Sequence, residues 1–249
     1  MKLAAICCTY KRPQQLARLI GCFLAQDHPD RELVILDDAG QYDTQEGDGW
    51  RLVSIPERYP TLGDKRNAAM GLVSRDVDAL AVWDDDDCYL PWALSACAAG
   101  LERQPWVRPS QILIAQDGAL QRFQTFRPGR PDRKLFHAAW AFGRDCFRKI
   151  GGYAPIGSGE DQHLMTRLVM AGVCDCDPID LGHEPYAVIS WDHVPKGAAP
   201  KLSWMDAGAW GVLGRLPAPH VAGAIEPTLP DHFDYSNPLI LPAVKPRPF

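Results

Sequence analysis

The chain has 249 residues, 46% hydrophobic and 23% charged, which is the composition of a globular protein with a packed core. Its formal net charge of -5 disfavours nucleic acid as a partner, because proteins that hold the phosphate backbone are normally basic. No apolar segment approaches the length of a membrane-spanning helix, and the eight cysteines lack the spacing of a zinc site. We therefore expect a cytoplasmic protein with reduced thiols, soluble or peripherally membrane-associated.

The first forty residues predict a strand, a helix and a second strand. Leu3 to Cys8 is a short apolar run that is typical of a buried strand, and Pro13 fits the first turn of a helix. Apolar residues then recur with helical spacing from Leu16 to Leu24. Glu32 to Leu36 is the next apolar run, so this unit predicts two parallel strands joined by a right-handed crossover.

The same alternation continues along the chain. Arg51 to Ile55 predicts a third strand, Asp64 to Arg75 a helix that Asp64 caps, and Ala79 to Trp83 a fourth strand. Three of the strands end in polar clusters, which are Thr9 to Arg12, Asp37 with Asp38, and Asp84 to Asp87. Ligands in open α/β sheets bind beyond the carboxyl ends of the strands, so we expect these clusters to meet in one crevice.

The second half of the chain is less regular. Ile112 to Ala115 and Leu120 to Phe126 predict two strands, which we expect to be antiparallel. Glu160 to Ala171 has the spacing of a helix, and Tyr186 to Trp191 predicts a late strand. From residue 216 onward proline is frequent and periodicity disappears, which indicates an irregular tail.

Four consecutive aspartates, Asp84 to Asp87, follow the fourth strand. Adjacent carboxylates repel one another, and a single aspartate would be enough to cap a following helix. Mg2+ and Mn2+ bind carboxylate oxygens, usually one or two from the protein, with phosphate and water as the other ligands. The cluster therefore favours a divalent metal site over a solvated acidic turn.

Five segments, taken together and in this order, resemble motifs of the family 2 glycosyltransferases, the inverting enzymes of the GT-A fold. They are ICCTYKRP at 6–13, LVILDDAG at 33–40, GDKRNAA at 63–69, VWDDDDCYLP at 82–91, and GGY at 151–153 with GED at 159–161. The resemblance implies an α/β fold with a Rossmann-like, mostly parallel mixed sheet flanked by helices. It also implies a domain of residues 1–215, with a nucleotide-binding half (1–110) and an acceptor half (111–215), before the proline-rich tail of 216–249.

The resemblance implies roles for individual residues. The side chains expected to bind the nucleotide sugar are Thr9, Tyr10, Arg12, Asp37, Asp38, Arg66, Asn67, Asp84 and Asp85. Among them Asp37 would accept from a ring N–H of the base, and Arg66 would approach the diphosphate. Asp86 would be the main ligand of Mn2+ or Mg2+, with Asp84 facing both the ribose and the metal. His193, or else His183, is the candidate that completes the metal site, although a lone histidine is equally typical of an ordinary loop.

Asp161 matches the catalytic base of the family. An inverting transfer needs a base that takes the proton from the acceptor hydroxyl as it attacks, while the charge of the leaving diphosphate is stabilised by cations. The alternative reading of Glu160 and Asp161 is that they compensate the dipole at the start of a helix, which is common for acids at such positions.

The sequence thus predicts metal-dependent, inverting transfer from a nucleotide-diphosphate sugar, with a UDP-sugar favoured, to a hydroxyl of a glycan, a lipid-linked acceptor or a small molecule. A sugar nucleotidyltransferase is one alternative, but that class has a glycine-rich phosphate loop after the first strand, and residues 9–14 contain no glycine. A non-catalytic nucleotide-sugar-binding protein is another, and the intact set of acids disfavours it. Oligomeric state stays open, with a homo-oligomer among the alternatives.

Overall fold

A computed structural model gives the architecture of the chain and describes residues 1–116, 119–127, 130–134, 136–190 and 225. The strands are β1 (Leu3–Thr9), β2 (Arg31–Asp37), β3 (Gln45–Gly47), β4 (Trp50–Ser54), β5 (Ala79–Asp84), β6 (Cys88–Tyr89), β7 (Trp106–Val107), β8 (Gln111–Gln116), β9 (Ala119–Gln124), β10 (Phe126–Arg127), β11 (Arg130–Lys134), β12 (Ala141–Gly143), β13 (Asp175–Cys176) and β14 (Ala187–Ser190). The helices are α1 (Pro13–Leu24), α2 (Leu62–Gly71), α3 (Ala93–Leu101), α4 (Arg144–Lys149) and α5 (Glu160–Met170), with a short 3-10 turn at His137–Ala139.

A mixed sheet with the strand order β13-β7-β12-β5-β1-β2-β4-β3 forms the centre of the fold. Its inner strands β5, β1, β2 and β4 are parallel, whereas β12 and β3 run antiparallel to their neighbours. In the register of the sheet, Thr9 lies beside Asp37 and Cys8 beside Asp84. The predicted parallel unit is confirmed, and the carboxyl ends of β5, β1 and β2 finish side by side.

Helices cover both faces of this sheet, which explains why β1 and β5 are apolar up to their last residue. Ala5 and Cys7 of β1 pack in the same core as the apolar face of α1 and part of α3. Ala4 and Ile6, which point to the opposite face, pack with residues of α2 and α5. A parallel strand that is buried on both faces has no solvent-facing positions, so continuous apolar runs are expected there.

A second sheet, with the order β6-β14-β8-β9, joins the first one at the aspartate cluster. β8 and β9 pair antiparallel, as predicted. Strand β5 of the first sheet leads into the four aspartates, and β6 of the second sheet follows directly. The indole of Trp83 stacks on the ring of Tyr89 at 4.0 Å between centroids, and the Tyr89 hydroxyl accepts a 2.7 Å hydrogen bond from the Asp84 amide. The turn between the sheets is therefore closed by its flanking aromatic residues.

Helix α2 begins earlier and ends earlier than the sequence predicted. Thr61, not Asp64, is its N-cap, and the Thr61 hydroxyl oxygen accepts from the Asp64 amide at 3.1 Å. Asp64 instead occupies the third helical position, where its carboxylate accepts from the Thr61 hydroxyl at 2.7 Å. This arrangement is related to a capping box, but the Asp64 carboxylate accepts from the Thr61 hydroxyl and not from the Thr61 backbone amide. The helix ends at Gly71, four residues before the predicted Arg75.

Several predictions fall outside the described residues. They concern His193, Trp191 and the tail of residues 216–249, of which Ile225 alone is described. The Ile225 amide donates to the Gln45 side-chain oxygen at 3.1 Å, and the residue packs against the core on the α1 face of the sheet. None of the described helices combines the length and the apolar character that crossing a membrane requires.

Candidate active site

The four aspartates differ in their exposure and therefore in what they can bind. The Asp84 side chain is 34% exposed, whereas that of Asp85 is 4% exposed and that of Asp86 is 13% exposed. Burial raises the pKa of both Asp84 and Asp85, and the negative charge of Asp86 raises it further. The turn thus concentrates negative charge at the carboxyl end of β5, and Asp84 is the most open of these three carboxylates.

Asp85 holds side chains at the carboxyl end of the neighbouring strand, β1. Its carboxylate accepts from the Thr9 hydroxyl at 2.7 Å and from an Arg12 terminal nitrogen at 2.7 Å. The same Arg12 nitrogen lies 3.1 Å from the Asp86 carboxylate. The extra charge that Asp85 adds to the turn is therefore used inside the protein, where it fixes Thr9 at the end of β1 and Arg12 just before α1, two of the residues expected to bind the nucleotide sugar.

Asp37, at the end of β2, is fully buried. Its carboxylate accepts from the Ser54 hydroxyl at 2.7 Å and from the backbone amides of Ala39 and Gln41 at 3.1 and 3.3 Å. Burial raises the pKa of Asp37, and these hydrogen bonds oppose the shift. Asp37 shapes the loop that follows β2, and its predicted contact with the base of a nucleotide stays a prediction.

Asp38 forms a buried ion pair that sequence reasoning missed. Its carboxylate accepts from the Lys65 ammonium and from Arg58 at 2.6 Å, and also from the Tyr59 amide at 3.2 Å. Lys65 is only 2% exposed and donates as well to the Thr9 carbonyl at 2.6 Å. The sequence carries no local signal of this pair, because 27 positions separate Asp38 from Lys65.

Arg58 is a second residue that sequence reasoning did not single out. Its guanidinium lies 3.6 Å from the centre of the Tyr10 ring, which is the distance of a stacked cation–π contact. Tyr10 was predicted to bind the nucleotide sugar, so Arg58 fixes a predicted ligand side chain while it neutralises Asp38. The sequence gives no local indication of this role, because twenty residues separate Arg58 from Asp38.

Arg66 connects the end of β5 to the start of α5. Its Nε donates to the Glu160 carboxylate at 3.2 Å, and a terminal nitrogen donates to the Asp84 carboxylate at 3.2 Å. The guanidinium also lies 5.8 Å from the ring centre of Tyr153. Arg66 is thus placed beside the most exposed of Asp84, Asp85 and Asp86, where an anionic ligand of a bound metal would lie.

Asn67 holds the loop that leads to the predicted base. Its side-chain amide donates to the Tyr153 carbonyl at 2.9 Å, and its side-chain oxygen accepts from the Tyr153 amide at 2.8 Å. Gly152 has a φ of +68°, and a Cβ at this position would lie 2.6 Å from the Asn67 side-chain oxygen. Gly152, the second glycine of the fifth motif, is therefore required by its positive φ and by its close packing against α2.

Asp161 and Glu160 diverge at the start of α5. The Asp161 carboxylate is half-buried and accepts from the Gln162 amide at 2.7 Å. Glu160 is turned inward to Arg66, and burial raises its pKa although Arg66 opposes the shift. The structure therefore separates the two acids by environment, with Asp161 on the more open side.

The residues at the end of β5 fit a divalent cation. Within the described part of the chain, no three His, Cys, Asp or Glu side chains form a ready-made metal cage, so neither His183 nor another histidine is grouped with the aspartates there. A cation that takes one or two protein carboxylates and completes its shell with phosphate and water does not need such a cage. Asp84 and Asp86 supply two hard oxygen donors in a region of excess negative charge, which is the chemistry that Mn2+ or Mg2+ requires.

Comparison with protein families matches residues 4–138 to the family described as Glycosyl transferase family 2. This range exceeds half of the chain and includes the first four motifs. The chain belongs to glycosyl transferase family 2. The motif that contains Asp161 lies beyond the matched residues, so its assignment depends on the resemblance and on the geometry.

Solved structures of glycosyltransferases share the fold. The Staphylococcus aureus TarS fragment 1–349 superposes with a TM-score of 0.58 at 13% identity over 76% of this chain and 60% of that one. The mannosyltransferase PcManGT from Pyrobaculum calidifontis, with GDP-Man and Mn2+, gives 0.53 at 18% identity over 79% of this chain and 58% of that one. GalNAc-T7 with UDP, GalNAc and Mn2+ gives 0.56 at 12% identity over 84% and 47%. The chain therefore spans less than two thirds of each of these three structures.

These findings confirm the predicted family and the GT-A fold. They favour a glycosyltransferase over the nucleotidyltransferase and the non-catalytic binding protein. A comparison with the sequences of curated proteins gives no match. The roles of the individual site residues and the boundaries of the two halves stay predictions.

Proposed function

We propose that this family 2 enzyme transfers a sugar from a nucleotide-diphosphate sugar to an acceptor hydroxyl, with inversion at the anomeric carbon and with a divalent cation. The observation that carries the proposal is the position of Arg66. Its guanidinium donates to Asp84, which ends β5 and is one of the two metal candidates. It also donates to Glu160, which comes directly before the candidate base. The guanidinium of Arg66 would therefore connect the residues that bind the donor to the residue that activates the acceptor.

The donor would lie across the ends of β5, β1 and β2. Its nucleoside would contact Thr9, Tyr10, Arg12, Asp37 and Asp38. Arg66 would face the diphosphate, and Asp84 would face the ribose. Asp85 and Asn67 act behind them, since they hold Arg12 and the Tyr153 loop in place. UDP-sugars are the first choice of donor, because structures of TarS with UDP-GlcNAc and of GalNAc-T7 with UDP are similar to this chain. A GDP-sugar is the second choice, because PcManGT was solved with GDP-Man.

Asp86 and Asp84 would hold Mn2+ or Mg2+, as two of the similar structures contain Mn2+. When bound, the cation would supply charge neutralisation at the diphosphate. The chain itself provides the rest of the stabilisation, because Arg66 presents a fixed guanidinium to the charge that develops on the leaving group. Arg12 keeps Asp86 in place from the other side of the turn.

Asp161 would act as the general base. It is half-buried in the first turn of α5, beside a residue that is anchored to Arg66, so its distance from the donor is set by the same contact. An ionised carboxylate in that position can accept the proton of the acceptor hydroxyl as the new glycosidic bond forms. The acceptor would be a glycan, a lipid-linked molecule or a small molecule reached from residues 111–215, in a cytoplasmic enzyme.

A donor panel tests the proposal. UDP-, GDP-, dTDP- and CDP-sugars are added to the full chain with and without Mn2+, and the midpoint of thermal unfolding is measured. A ligand that binds only the folded state raises this midpoint, by an amount that corresponds to about 2.7 kcal/mol at a concentration of 100 times Kd. We expect one nucleotide class to raise it more strongly with Mn2+ than without. No increase with any donor contradicts the proposal.

A further inference from the structure

Arg66 lies between two carboxylates that differ in their access to solvent. The Asp84 side chain is 34% exposed and faces the open side of the site, whereas the Glu160 side chain is 4% exposed and lies on the protein side. Both carboxylates accept from Arg66 at 3.2 Å, through different nitrogens of the guanidinium. One partner of Arg66 is therefore accessible to a ligand, and the other belongs to the interior.

Glu160 does not behave as an ordinary acid at the start of a helix. Such residues are normally exposed and gain from the helix dipole alone, but Glu160 is buried and its carboxylate reaches Arg66, 94 positions away in the sequence. Gly159, in the left-handed conformation at φ +74°, occupies the cap position and has no side chain to contribute. The inward Glu160 thus ties the first turn of α5 to Arg66.

A guanidinium has five N–H donors, so Arg66 can keep Glu160 through Nε and turn its terminal nitrogens to a second anion. The exposed Asp84 is the partner that a diphosphate would displace from Arg66. Glu160 stays in place, and its negative charge weakens the attraction between Arg66 and any further anion. The buried carboxylate therefore lowers the affinity of the site for a diphosphate.

We propose that Glu160 is a positioning residue that keeps Arg66 shared between the diphosphate and the first turn of α5, and thereby speeds the release of the nucleotide product. The inference rests on the proposed function, because it requires a diphosphate beside Arg66. Release of product limits turnover in many enzymes that bind their substrates tightly, so a built-in counter-charge is a means of keeping release fast. The consequence has a definite sign, since removal of a negative charge strengthens binding.

The test is the variant Glu160→Gln, which keeps the volume of the side chain and an oxygen that can accept from Arg66 Nε but removes the charge. Calorimetric titration with UDP and Mn2+, or with the nucleoside diphosphate that the donor panel selects, measures Kd. We expect binding to tighten about three- to tenfold, and we expect kcat and the donor KM to fall together. A residue with a purely structural role would not tighten binding when it is changed.

Three further variants make the test specific. Glu160→Asp keeps the charge, so its affinity stays within about twofold of the original chain; tightening equal to that of the glutamine variant overturns the proposal. Glu160→Met also removes the charge, and it replaces the glutamine variant if that protein does not fold. Glu32→Gln is the matched control, because this half-buried carboxylate pairs with Lys2 at 3.7 Å at the opposite end of the sheet; its nucleotide affinity stays unchanged.

The outcomes separate the two proposals. If the original chain binds no nucleoside diphosphate, the proposed function fails before Glu160 is considered. If the original chain binds UDP or another nucleoside diphosphate and the folded Glu160→Gln variant binds it equally or more weakly, the proposed function survives and the role of Glu160 is overturned.

Discussion

At the scale of single residues, Asp161 and Glu160 show how two adjacent acids acquire different chemistry. Glu160 is buried against Arg66, while Asp161 is half-buried and bonded to the amide of the next residue. Helix geometry alone sends neighbouring side chains in different directions, and the ion pair with Arg66 fixes which acid faces inward. Asp161, on the more open side, is therefore the acid that we propose as the base.

Replacement of Asp161 by Asn tests its role as a base. The amide has nearly the same shape but cannot take up a proton, so we expect kcat to fall about 10²- to 10⁴-fold while the Kd of the nucleotide is unchanged. Steady-state transfer assays and calorimetric titration measure the two quantities. Asp145→Asn is the control, because Asp145 is an exposed acid in the first turn of α4. Full activity in the Asp161→Asn variant contradicts the assignment.

His137 makes the stability of the fold depend on pH. Its Nε2 lies 2.7 Å from the Tyr153 hydroxyl oxygen, and burial together with the charge of Arg66 lowers its pKa well below the usual value. The folded chain therefore holds this histidine neutral, whereas the unfolded chain protonates it near its normal pKa of 6.5. Stability that is fully present above pH 6.5 is lost as the pH falls below it.

We expect His137→Gln to flatten this part of the pH profile. Between pH 7 and pH 5 the original chain should lose about 1 to 2 kcal/mol more of its free energy of unfolding than the variant, because one proton is linked to unfolding. Urea unfolding at both pH values measures the difference, and the buried carboxylates, common to both proteins, cancel in the comparison. His163→Gln, at an exposed histidine, should leave the profile unchanged. Parallel profiles for the original chain and His137→Gln would refute the prediction.

At the scale of elements, the first two turns of α2 contact the ends of three strands, the start of α5 and the loop that precedes it. Lys65 reaches the ends of β1 and β2, Arg66 reaches β5 and α5, and Asn67 holds the loop at Tyr153. Gly63 completes the set, since a Cβ there would lie 1.8 Å from the Ala154 carbonyl oxygen. The helix is therefore packed by its polar residues as much as by its apolar ones.

Lys65→Met should destabilise the fold by about 3 to 5 kcal/mol, because it leaves the buried Asp38 carboxylate with an incomplete set of partners. Adding Asp38→Asn removes that charge, so we expect the double variant to recover more than half of the loss. Chemical unfolding of the single and double variants measures the coupling. Lys2→Met, which breaks a surface pair with Asp76, should cost less than about 1 kcal/mol. Additive losses at Lys65 and Asp38 would contradict the coupling.

The strands of the nucleotide side could be predicted because apolar runs and strand-end acids are local features of the sequence. The partners of the charged residues could not. Patterns of hydrophobicity treat lysine and glutamate as exposed, yet Lys65 and Glu160 are buried because their partners are 27 and 94 positions away. The start of α2 was misplaced although its signal is local, since both Thr61 and Asp64 resemble caps and the geometry shows that Asp64 is the third helical residue.

At the scale of the whole molecule, the candidate site lies where two sheets meet. The first sheet carries the parallel strands with the nucleotide-side residues, and the second contains β6, β14, β8 and β9. The family match ends at residue 138, within the 3-10 turn that follows β11, while the candidate base comes later. Residues within the family match and residues beyond it therefore both border the site.

The turn of four aspartates is anchored at one end in each sheet. β5 fixes its start and β6 fixes its end, and the stacked rings of Trp83 and Tyr89 pack the two ends together. Because the turn is fixed at both ends, the spacing of its carboxylates depends on the relative position of the two sheets as well as on the residues of the turn.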